Sequence, residues 1–151
     1  MKKGILCMLA LLLLAGCRPA PVLHDANKAV EDANAALKLL YFTHDYEGAR
    51  KLLDGEFTFF HSSANLQESV EKMEGGYGKL KVLTAEAYTP FAAGNVLILY
   101  YKGQNEKSTT YHQITMKGNA QNGYKVYGIN ITYEEFKDEK KVKFEKVVVL
   151  K

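Results

Sequence analysis

The hydrophobic period of this chain changes at Gly75-Gly76-Tyr77-Gly78, and that change decides the fold class. Before it, Ala26, Ala29, Val30, Ala33, Leu37, Leu40 and Tyr41 form one apolar stripe, and Leu66, Val70, Met73 and Tyr77 form another. Steps of three and four residues put such side chains on one helix face, so both stretches are predicted helices. After it come four strand-like runs: Leu80 to Thr89, Asn95 to Lys102, Thr109 to Lys117 and Tyr124 to Tyr133. Pro90 with Gly94, Gly103 with Asn105, and Gly118-Asn119 through Asn122-Gly123 supply turn chemistry between them. Short links favour an antiparallel meander. The layout is α+β: N-terminal helices packed on a curved antiparallel sheet of four to five strands.

Local signals refine this layout. Asp25 is placed to cap the first helix, which breaks around Thr43 to Asp45 and restarts with Tyr46, Ala49, Leu52 and Leu53 on one side, before a stop at Gly55. Phe57, Phe59 and Phe60 read as a short strand or a plug under the helices. Asn65 and Glu68 resemble a capping box opening the next helix, and Gly75, Gly76 and Gly78 are expected to end it. Val96 to Tyr101 is apolar on both faces, as in a central strand covered on both sides. Tyr124 and Val126 share a phase that Ile129 and Ile131 do not, so a β-bulge is expected at Gly128. Beyond Tyr133, Val142, Phe144, Val148 and Leu150 alternate with Lys143, Glu145, Val147 and Val149. This tract predicts a fifth strand folding back as a hairpin on Tyr124 to Tyr133, with Lys137 to Lys141 as the connection. The alternative is that the same strand pairs across a two-fold axis to give a homodimer.

The N-terminus carries an address. Lys2 and Lys3 precede an apolar run from Ile5 to Ala15, too short to span a bilayer as a helix. Its end, Leu14-Ala15-Gly16-Cys17, resembles the lipobox of bacterial lipoproteins. The resemblance implies cleavage after residue 16, acylation of Cys17, and a protein held to the membrane through its lipid anchor. Arg18 in place of Asp leans the expected location to the outer membrane, facing the periplasm. Residues 17–24, with Pro19 and Pro21, would form a tether of reach about 26 Å, and residues 25–151 the domain. Cleavage removes Lys2, Lys3 and no acid, so the 20 basic side chains fall by two against 17 acidic ones. Near neutrality excludes an electrostatic nucleic-acid footprint. Cys7 lies in the signal and Cys17 would carry lipid, so no disulfide is expected.

Three short runs give a second resemblance: Tyr77-Gly78-Lys79-Leu80-Lys81, Leu99-Tyr100-Tyr101-Lys102-Gly103 and Gly123-Tyr124-Lys125-Val126-Tyr127-Gly128-Ile129. With the element order they look like small exported domains of the cystatin-like, or nuclear-transport-factor-2-like, superfamily. The likeness covers roughly Asp25 to Tyr133, with Tyr124 where a Trp is common. It implies a cone-shaped pocket between sheet and helices, with Tyr41, Val96, Ile98, His112, Ile114, Met116 and Val126 as candidate lining.

Some members of that superfamily are isomerases, cyclases or dehydratases, which need an inward acid or base beside an oxyanion donor. The four strands here contain one acid, Glu86, and one histidine, His112. A buried wall histidine outweighs a catalytic one, and no catalytic residue is assigned. His44-Asp45 at the inter-helix break and Ser62-Ser63 before a helix read as caps. His24 and His61 have no ligand spacing, so no metal or cofactor is expected. Asn130-Ile131-Thr132 matches a glycosylation acceptor by chance, the ten tyrosines fall mostly at apolar-periodic positions, and Lys137 to Lys146 reads as solvated surface. The expected function is a lipid-anchored envelope domain that binds a small ligand or a protein without catalysis. The rivals are a small-molecule isomerase or dehydratase using His112, and an envelope-assembly or immunity-type partner protein.

Overall fold

The computed structural model describes residues 23–56, 62–91 and 94–151. The lipobox with Cys17, most of the tether, the Phe57, Phe59 and Phe60 cluster, and His61 lie outside the described residues. Within them run three helices, α1 (Ala26–Tyr41), α2 (Tyr46–Leu52) and α3 (Ser63–Tyr77). Five strands follow: β1 (Leu80–Pro90), β2 (Val96–Asn105), β3 (Thr109–Asn119), β4 (Gly123–Thr132) and β5 (Val142–Leu150). The fold is α+β, with the helices packed against one antiparallel sheet of order β4-β3-β2-β1-β5.

Each helix begins where a side chain satisfies a free backbone donor. Asp25 accepts from Lys28 N–H at 3.0 Å, Asp45 from Gly48 N–H at 2.9 Å, and Ser62 from Asn65 N–H at 3.2 Å. The third cap is therefore Ser62, as the Ser62-Ser63 pair suggests, and Asn65 lies in the first turn, where its own N–H is the donor that the serine hydroxyl satisfies and no Asn65–Glu68 box is needed. Gly75 and Gly76 continue α3, and Gly78 alone ends it at φ 81°. A Cβ at Gly78 would also meet Lys107 N at 2.9 Å, so the turn both needs the left-handed conformation and lacks room.

The α1 stripe sits on the sheet as its period requires: Ala29, Val30, Ala33, Ala36, Leu37, Leu40 and Tyr41 are all buried. Opposite them lie Leu83, Ala85, Leu97, Leu99, Tyr101, Ile114, Met116 and Val126. Two polar groups fix α1 over the start of β4: Asp32 accepts from Tyr124 N–H at 2.9 Å, and Tyr124 Oη accepts from Asp25 N–H at 2.9 Å. β2 is the central strand, as its two-faced apolar run predicts. The bulge expected at Gly128 is present, since Thr115 pairs with Gly128 and Met116 with Val126, leaving Tyr127 over. It restores the Ile129 and Ile131 side chains to the helix face, opposite Ile114 and His112.

The fifth strand forms, but on the other edge. β5 pairs antiparallel with β1, Leu150 against Leu83 and Val142 against Tyr88, and does not form a hairpin with β4. Two contacts explain this. Part of the β4 edge is taken by Leu53, which bridges Val126, and by Asp54 N–H, which donates to Val126 O at 2.8 Å. The connecting residues also have a destination of their own, because Phe136, Asp138 and Lys141 fasten to Tyr100 of β2 as the chain crosses the sheet. Lys137 to Lys141 is thus a strap over the outer face of the sheet, the face away from the helices, where a purely solvated hairpin loop was expected.

β5 is also bent. Ala85 pairs with Val148 and Ala87 with Lys143, so four residues of β5, Phe144 to Val147, span the place where β1 has only Glu86. The strand arches away from its neighbour there and lies flat again from Val148 to Leu150.

Candidate functional site: a strapped groove on the outer face

The candidate pocket residues divide between the two faces of the sheet. Ile114, Met116, Val126 and His112 point to the helices and are 0% exposed. Val96 and Ile98 pair with Lys117 and Thr115 and face the other way. The space expected between sheet and helices is filled, at these positions, by the side chains themselves. Tyr41 borders a crevice of about 100 Å³ between α1, α3 and β4, walled by Leu40, Leu66, Val70, Met73, Ile129 and Ile131.

His112 sits in this core beside a glycine gap. Its Nε2 lies 2.9 Å from Thr110 Oγ1, which also accepts from Asn105 Nδ2 at 2.8 Å, and its ring meets the edge of Tyr41 at 6.1 Å. A Cβ at Gly103 would come within 2.7 Å of Thr110 Oγ1 and 2.8 Å of His112 Nε2, so glycine makes the room for this pair. Burial pushes the imidazole pKa down to about 4, which keeps it neutral at pH 7. Its Nδ1 has no hydrogen-bond partner among the described residues.

The other histidines are apart from it. His24 stacks on Tyr124 at 6.2 Å, and His44, at φ 54°, contacts Glu74 Oε1 at 3.1 Å. Asp45, next to His44, caps α2. Ser62 caps α3, and the Ser63 hydroxyl donates to Glu47 at 2.6 Å. Among the described residues no group of three His, Cys, Asp or Glu side chains could hold a metal ion, and no helix is long and apolar enough to cross a membrane.

Two further openings are wider: one of about 410 Å³ lies between the start of α1 and β5, beside Asn27, Tyr88 and Lys146, and the other lies on the outer face. The strap and the arch of β5 enclose a groove of about 400 Å³ over β1 and β2. Its floor is Thr84, Ala87 and Tyr100; Phe136 and Lys141 of the strap form one wall, and Phe144 and Val147 of the arch another. Glu86, Glu135 and Lys143 bring charge of both signs to the rim.

One carboxylate anchors the strap. Asp138 Oδ2 accepts from Thr89 Oγ1 and from Tyr100 Oη, each at 2.7 Å, and Asp138 Oδ1 accepts from Lys140 N–H at 2.9 Å. These three donors, Thr89 foremost, hold its pKa at about 2, below the ordinary carboxylate value of 3.8. Burial, followed by the hydrogen bond to Asp138, raises the Tyr100 phenol above its ordinary value. The Lys141 ammonium stands 4.4 Å from the centre of the Tyr100 ring and donates back to Phe136 O. Ring, carboxylate and ammonium together pin the strap from both ends.

The site residues on the strap were hidden in a run of mixed charge that reads as solvated surface. The signal for them lay on β2: Tyr100 has the phase opposite to Tyr101, and a tyrosine buried on a second face needs a partner for its hydroxyl. Tyr101, on the helix face, meets the same need by donating to Asn34 Oδ1 at 3.0 Å. No protein-family model, curated protein or solved structure matches the chain.

Proposed function

We propose that this chain is a lipid-anchored domain of the bacterial cell envelope, cystatin-like in class, whose task is binding without catalysis. Cys17 is its membrane attachment, at the outer membrane facing the periplasm, and the strapped groove is its binding site. The observation that carries the binding reading is the groove itself. It combines aromatic walls, charge of both signs on the rim, and a strap fixed by Asp138. A rigid, largely apolar trough with a few polar groups suits a small amphipathic molecule that carries an aromatic or aliphatic body and a charged end. On the enzyme reading His112 would have to act on a substrate, and its place among Thr110, Tyr41 and Gly103 speaks against that.

The test uses a panel of amphipathic aromatic acids and amines, followed by chemical-shift mapping on the labelled domain. Binding should perturb Thr84, Tyr100, Phe136 and Phe144, and Thr84→Trp, which fills the floor, should abolish it without lowering the melting temperature. Ligands that map instead to the helix face, or turnover that disappears in His112→Ala, would refute the proposal.

A further inference from the structure

The two edges of the sheet are treated differently. The β4 edge is partly covered by Leu53 and Asp54, whereas β5 has β1 on one side and, among the described residues, no strand on the other. In β5 Lys143, and Glu145 and Lys146 within the arch, are charges of the kind that keep an edge from pairing unless a complementary charge faces them. Val147, at the end of the arch, and the flat stretch Val148 to Leu150 carry no charge. Val147 is 72% exposed and Val149 46%, both on the outer face, while Val148 and Leu150 pack inward on the core.

We propose that β5 pairs with β5 of a second copy of this chain, antiparallel about a two-fold axis at Val148, joining two sheets into one of ten strands. The register follows from faces and charges. Residues directly opposite in an antiparallel pair share a face, so the axis must pass through a residue position and not between two. An axis at Lys146 would set that lysine against itself, and one at Val147 would set Lys143 against the partner's Lys151. An axis at Val149 would set exposed Val147 against the partner's Lys151. With the axis at Val148, Val147 faces the partner's Val149 twice over, and Glu145 faces the partner's Lys151 twice over. This is the register that matches exposed valine to valine and acid to base. It accommodates either alternation of outward-pointing backbone groups, since Val148 can pair with the partner's Val148 or Val147 with the partner's Val149. Because Val147 also walls the groove, the two grooves would come to lie on one continuous outer face.

Sedimentation equilibrium of the purified full chain over a wide concentration range tests this. The wild type should dimerise. Val149→Lys, an exposed substitution, should leave a monomer with unchanged circular dichroism and melting temperature. Glu145→Lys should weaken the dimer roughly three- to thirtyfold, and adding Lys151→Glu should restore it by re-pairing the reversed charges. A chain that stays monomeric at every concentration would overturn the proposal, including one that binds an extended foreign peptide at this edge. So would a dimer indifferent to Val149→Lys, or a charge reversal that the second substitution does not rescue.

Discussion

The hydroxyl of Tyr100 donates a 2.7 Å hydrogen bond to the carboxylate of Asp138, 38 residues further along the chain. This bond joins the central strand to a segment that has no regular structure of its own. Tyr100→Phe leaves the ring under Phe136 and Lys141 but removes the donor, and should cost about 1–2 kcal/mol by denaturant unfolding. Amide exchange should quicken from Phe136 to Lys141 and stay unchanged in β3.

Asp138 also makes the strap acid-sensitive. Its carboxyl titrates near 2 in the folded chain and near 3.8 when unfolded. Such a group contributes stability that is fully present above 3.8 and is lost as pH falls through 2. Asp138→Asn should therefore flatten the acid limb of the stability profile below 3.8, as followed by tyrosine fluorescence.

His112 acts in a higher window. Its folded pKa of about 4 lies below its unfolded value of 6.5, so the folded state favours the neutral ring. Stability from this group is complete above 6.5 and declines as pH drops towards 4, by on the order of 3 kcal/mol. His112→Leu should remove that slope. Urea midpoints measured at pH 7 and pH 4.5 should differ much less in the variant than in the wild type.

Gly103 should tolerate no side chain. In Gly103→Ala the new methyl would stand within 3 Å of Thr110, His112 and Leu80, and the strain should cost about 1–3 kcal/mol. The measurement is the denaturant midpoint, with Gly76→Ala as a control, since a Cβ there meets nothing within 4 Å.

The lipid reading has its own test. Wild-type chain expressed in a bacterial host should lose residues 1–16 and gain a diacylglyceryl group at Cys17, and Cys17→Ser should leave the protein out of the membrane fraction. Intact mass of the wild type decides it, and an unmodified or differently cleaved chain would dismiss the anchor.

Periodic signals were legible in the sequence wherever one face of an element is buried. The α1 stripe, the four strands of the meander, the central place of β2 and the bulge at Gly128 all follow from apolar spacing that burial enforces. What spacing does not encode is which edge a strand joins. Val142 to Leu150 alternates equally well beside β4 or β1, and the choice rests on Asp138 finding Thr89 and Tyr100 across the sheet. The candidate site was missed for the same reason. Val96 and Ile98 share apolar character with Leu97 and Leu99, so a strand buried on both sides gives no sign of which residues face the helices.

The pairing of the last strand with the first of the sheet sets an order of events. β1 leaves the ribosome long before β5, so its outer edge stays bare while α1 to β4 are already available to collapse. Contacts between distant segments form slowly, and here the distant pair completes both the sheet and the strap. On the export reading proposed above, a chain handed unfolded to a translocase would gain time from this wiring, because its native state cannot lock until β5 is delivered.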